Sequence, residues 1–86
     1  MIFITLIKWK QKPEKDQADQ GTKMMEEIEK QGIKLSWYWT MGRYDAVGII
    51  EAPTEKEAMK ILLGIQHWVE TETMVAVPRE EALKLL

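Results

Sequence analysis

Four strand-like runs and two helix-like runs follow one another in the order βαββαβ, which predicts an α+β sandwich of the ferredoxin-like kind. That fold is a four-stranded antiparallel sheet carrying two helices on one face. Three observations lead to it. Apolar, β-branched residues gather in short runs, spacings of three and four appear twice between those runs, and proline or glycine punctuates the junctions. The 86 residues support a single domain over 1–86. A chain this short buries only a little over ~60% of its extended surface, so its core is thin.

The first run, residues 1–10, is apolar on both parities and reads as a strand covered on both faces. From Pro13 the pattern turns helical. Ala18, Gly21, Met25 and Ile28 share one face while Glu26, Glu27, Glu29 and Lys30 point outwards. Pro13 suits a first turn, Glu14 and Asp16 suit the positive end of the helix dipole, and Gly32 supplies the stop. Residues 33–41 and 44–51 then read as two strands joined through Gly42-Arg43, a step that predicts a type II′ turn. The turn sets a register: Trp39 opposite Ala46, Trp37 opposite Gly48, Leu35 opposite Ile50, and Lys34 opposite Glu51. Two indoles thus lie over the two smallest side chains, and a lysine faces an acid. A slip of one residue loses both features.

Thr54 and Glu57 form a capping box behind Pro53, and Ala58, Ile61, Leu62 and Ile65 make the buried stripe of a second helix. Residues 69–77 alternate and form the last strand. Pro78 ends it, leaving 79–86 for a short terminal helix.

Twelve Lys/Arg stand against fourteen Asp/Glu, a net charge of -2, and Arg43 and Arg79 are the only arginines. Phosphate-backbone binding needs a concentrated cationic face, so no nucleic-acid partner is expected. The longest apolar run, residues 1–7, is far short of the ~20 residues of a spanning helix, and no export signal is recognisable. The expectation is a cytoplasmic protein without a membrane partner. There is no cysteine, and the single histidine, His67, has no partner at helical ligand spacing, so no metal is expected. Phosphate loops and nucleophile elbows are absent, and no cofactor is expected.

Two helices cover one sheet face, yet apolar residues occupy both. Ile2, Ile4 and Leu6 alternate with Phe3, Ile7 and Trp9; Val47, Ile49 and Tyr38 lie opposite in parity to Trp37, Trp39 and Ile50. The wholly apolar side of the hairpin, with Leu35, Trp37 and Trp39, is assigned to the helices. A surplus face of that size exceeds what monomers leave uncovered. It predicts a homodimer or higher oligomer, sheet against sheet, as a dimeric α/β barrel. Val47, Ile49, Tyr38, Phe3 and Ile7 are the interface candidates. The alternative is that Leu83, Leu85 and Leu86 fold back over the face.

The stretch Ser36-Trp-Tyr-Trp-Thr-Met-Gly-Arg-Tyr-Asp-Ala-Val47, then Ile50-Glu-Ala-Pro53 and Val69-Glu-Thr-Glu-Thr-Met74, resembles the GYD-domain family over nearly the whole chain. Arg43 stands between Gly42 and the pair Tyr44-Asp45, so the triplet of the family name is interrupted. The resemblance implies a small stand-alone protein with a dimeric ferredoxin-like fold. The family brings no established activity, and no catalytic role is carried over. Gly42-x-Tyr44-Asp45 with Val69 and Thr73 is also distantly similar to the effector-binding domain of Lrp/AsnC regulators. That likeness implies small-molecule effectors held between subunits; no helix-turn-helix precedes it here.

Candidate ligand-binding residues are Asp45, Tyr44, Arg43, Tyr38, Thr40 and His67. Asp45 has two readings: a carboxylate in an inter-subunit cleft, holding an amine or acting as a base, or a hairpin residue bonded to Thr40 or turn amides. His67 is either a general base or an ordinary residue near a helix C-terminus. The four tryptophans with Tyr38 and Tyr44 line an aromatic pocket or simply fill the core. Glu70 and Glu72 read as solvated edge charges. Two functions follow. One is a homo-oligomeric, non-enzymatic module binding a small molecule between subunits, or serving purely in assembly. The other is a cofactor-independent, monooxygenase-like enzyme with Asp45 or His67 as base, an analogy of fold only.

Overall fold

The computed structural model describes all residues, 1–86. Its elements are β1 (Ile2–Trp9), α1 (Lys15–Lys30), β2 (Lys34–Trp39), β3 (Ala46–Glu51), α2 (Glu55–Ile65), β4 (Val69–Ala76) and a short α3 (Arg79–Leu83). The strands form one sheet in the order β2-β3-β1-β4, with every neighbouring pair antiparallel. This is an α+β fold of the ferredoxin-like kind, with three helices.

Each helix begins and ends where local chemistry dictates. Glu14 caps α1, its backbone N–H donating to Gln17 Oε1 at 3.2 Å, so Pro13 stands just before the helix rather than in its first turn. Gly32, at φ 87°, takes the left-handed position after Gln31 and lets the chain turn into β2. At α2, Thr54 Oγ1 accepts from the Lys56 N–H at 3.2 Å and Glu57 accepts from the Thr54 N–H at 3.1 Å.

Directly opposite residues of an antiparallel ladder share a face, so the pairing assigns every side chain. Phe3 faces Ile50, Ile7 faces Ala46, and Trp37 faces Gly48. Phe3, Ile33, Ile50, Ala52, Ala58 and Ile61 form the core, placing this parity beneath the helices. The expected β2–β3 register is observed from Lys34–Glu51 to Trp39–Ala46, and so is the assignment of Trp37 and Trp39 to the helix side. Thr5, fully buried on the same face, is satisfied by Thr73 Oγ1, which donates to it at 2.9 Å across the ladder.

Two expectations need correction. Phe3 and Ile7 are not on the open face: they are 3% and 5% exposed beneath the helices, and Ile2, Ile4 and Leu6 take the open side of β1. Within the single chain, that strand is covered on one face. The hairpin is not a two-residue turn. Pairing stops at Trp39 and Ala46, and residues 40–45 form a wider loop closed by the Thr40 N–H donating to Asp45 O at 2.9 Å. Lys34 and Glu51 are opposite in register but make no ion pair, as long side chains on an exposed edge commonly remain solvated.

Candidate functional site

The open sheet face presents half-buried Ile2, Ile4, Leu6, Val47 and Ile49 at its centre, with Met74 and Tyr38 exposed on the flanking strands. Leu85 and Leu86 are 83% and 102% exposed, so the terminal leucines do not close over it.

The 40–45 loop sits at one end of this face and holds four of the six candidate ligand residues. Asp45 is fastened to the sheet. Its Oδ2 accepts the Trp9 N–H at 2.9 Å while its own N–H donates to Ile7 O at 2.8 Å. The carboxylate thus ends the β1–β3 ladder, a role of the hairpin type but with its partner on β1 instead of Thr40. Thr40 Oγ1 donates to Tyr44 O at 2.8 Å. Tyr44 reaches across β1, its hydroxyl donating to Glu72 Oε2 at 2.8 Å. Donation to that carboxylate raises the Tyr44 pKa above its usual 10.0, more than the Arg43 charge lowers it, so the phenol keeps its proton at neutral pH. The Arg43 guanidinium lies 6.0 Å from the Tyr44 ring centroid, and Lys8 Nζ donates to Arg43 O at 3.0 Å. Glu72 therefore has a partner and is not merely a solvated edge charge. Tyr38, 59% exposed, lies on the same face.

His67 lies on the other side of the sheet. It borders a cavity of about 550 Å³ between α1 and the sheet, closed at one end by the turn from α2 into β4. All four tryptophans line this cavity, whereas Tyr38 and Tyr44 do not. The tryptophans of the expected aromatic pocket thus gather within one chain. Trp9 and Trp39 meet edge to face, centroids 4.9 Å apart. Lys10 secures the end of β1, its Nζ donating to Gln66 O at 2.7 Å and its N–H to Trp68 O at 3.0 Å. Trp37, half-buried, has its Nε1 buried without a hydrogen-bond partner. The signal for the cavity was present in α1, where Ala18 and Gly21 put little side chain opposite the indoles.

The fold and its open face define a small α+β domain of ferredoxin-like topology. The GYD-domain family model matches residues 3–86, essentially the whole chain, and the protein belongs to that family. Comparison with curated proteins finds no match.

Proposed function

We propose that the protein is a homo-oligomeric module whose copies pair through their open sheet faces, with a small molecule accommodated in the cleft beside the 40–45 loop. The supporting observation is the uncovered apolar strip of Ile2, Ile4, Leu6, Val47 and Ile49, flanked by exposed Met74 and Tyr38. A second copy is the occupant that matches it, since a two-fold pairing lays the same apolar strip against itself. Arg43, Tyr44 and Thr40 then rim the joint and supply polar contacts at its edge. No helix is long and apolar enough to cross a membrane.

Light scattering at tens of micromolar should give a dimer or larger species. Ile49→Lys, which puts a charge at the centre of the face, should give a folded monomer. A monomeric native protein, or an Ile49→Lys variant that remains associated, overturns the reading.

The enzymatic alternative has one observation in its favour: His67 borders the tryptophan-lined cavity. It predicts turnover of a phenol or quinol that falls by orders of magnitude in His67→Ala. Absence of turnover over a broad panel ends it.

A further inference from the structure

We propose that the cavity beneath α1 is an intrasubunit ligand site, which takes a flat aromatic molecule carrying a carboxylate, its ring among the indoles and its charge at Lys10. The site goes beyond the pairing reading and needs no partner copy, because every wall comes from one chain.

The space itself is the first observation. Packed interiors leave few voids larger than a water molecule, whereas about 550 Å³ lies in the range of small-molecule pockets. Helix α1 buries no residue, and a β-carbon added at Gly21, on the cavity wall, would meet nothing within 4 Å.

The second observation is that the rings are within reach. Trp39 is 67% exposed and Trp68 is 48% exposed, although both line the cavity. Rings that serve only to fill a core are closed over by their neighbours; these two are open to an incoming molecule. Trp9, edge to face with Trp39, is half-buried beside them. Met24 and Met25 of α1 are also half-buried, and their unbranched chains adapt to what lies against them. Accessible indoles opposite a loosely seated helix suit a flat ring.

Charge sets the rest of the ligand class. No Asp or Glu lines the cavity, and Lys10 is the one lysine or arginine that does. Lys10 takes part in neither of the chain's ion pairs. Its ammonium is exposed and donates to the Gln66 carbonyl at 2.7 Å, which holds it beside the turn whose Ile65, His67 and Trp68 form the cavity's end. An ammonium has three donors, so two remain for a carboxylate. A cationic ligand would meet an unpaired like charge instead.

The test titrates the full chain at low salt, by calorimetry and proton–nitrogen NMR, with three probes of matched shape: naphthalene-2-carboxylate, naphthalene-2-carboxamide and naphthalene-2-carboxamidinium. All should move the indole N–H resonances of Trp39 and Trp68. The carboxylate should bind about threefold more tightly than the amide, and the amidinium about threefold more weakly, as expected of a charge contact open to water. Lys10→Gln, which keeps a donor for the Gln66 carbonyl and loses the charge, should level the three. Lys10→Arg should keep their order. Gly21→Phe, which fills the space from α1, should weaken every probe by about tenfold or more. If that variant fails to fold, the Lys10 pair decides, since Lys10 is exposed. Ile49→Lys should bind as the native chain does. The inference is overturned by no binding at millimolar probe or by equal affinities in the native chain. It is equally overturned by an order that survives Lys10→Gln or is lost in Lys10→Arg, or by binding that survives Gly21→Phe. Loss of binding in the folded Ile49→Lys chain also overturns it and moves the site to the pairing face, whereas a native monomer that still binds discards pairing alone.

Discussion

Helix α2 is 11 residues long and buries Ala58 and Ile61; α1 is 16 residues long and buries none. Both lie on the same face of the same sheet, and each has an apolar stripe at helical spacing. The difference lies in what meets each stripe. Beneath α2 the sheet offers Phe3 and Ile50, which interlock with branched and small side chains into the continuous core. Beneath α1 it offers Trp37 and Trp39, set over Gly48 and Ala46, and the helix answers with Ala18, Gly21 and two methionines. Small and flexible residues over a row of rings do not close-pack, and a cavity remains. Amphipathic spacing thus places a helix on a sheet, and side-chain complementarity decides whether it seals.

The largest effect expected from this contrast is on stability. Ile61→Ala, beneath α2, should cost about 2–5 kcal/mol, as buried aliphatic truncations do. Met25→Ala, beneath α1, should cost less than about 1 kcal/mol, because its side chain already borders open space. Urea denaturation of the two variants measures the gap. Similar costs would mean that α1 is packed as firmly as α2.

A smaller effect is expected at the floor of the cavity. The β-carbon of Gly48→Ala would overlap the benzo edge of the Trp37 indole, so the ring must move away from β3. Overpacking of this kind costs about 1–3 kcal/mol. Near-ultraviolet circular dichroism should report a changed tryptophan environment while the far-ultraviolet spectrum is kept. An unchanged near-ultraviolet spectrum would place the Trp37 ring elsewhere.

The same contrast explains what could be read from sequence. Element order, the β2–β3 register and the face of Trp37 were legible because each rests on local spacing or on a large residue lying across from a small one. The wider 40–45 loop was not, because the contacts that open it are remote: Asp45 bonds to Trp9 and Tyr44 to Glu72, 36 and 28 residues away. Phe3 and Ile7 were placed on the wrong face because β1 is apolar on both parities, and only its pairing with β3 separates them. The aromatic character of the pocket was visible in composition, but its place was not. A cavity is a failure of packing between distant elements, which no periodicity encodes.

The smallest expected effect concerns the starts of the two helices. In α2 the acceptor of the capping box is the Glu57 carboxylate; in α1 the equivalent acceptor is the neutral Gln17 amide. The hydrogen bond from the Thr54 side chain, followed by those from backbone N–H groups, lowers the Glu57 pKa below its usual 4.5. A carboxylate with a depressed folded pKa adds stability that is fully present above its unfolded value and is lost as the pH falls through the folded one. Acid should therefore loosen the start of α2 below about pH 4.5 while sparing the Gln17 contact in α1. Melting temperatures at pH 6 and pH 3.5 measure this: the drop should be slightly smaller in Glu57→Gln than in the native chain. Other carboxylates act on both proteins alike, so the difference isolates this cap. An identical drop in the two would show that Glu57 carries no such linkage, and that the helices start on equal terms.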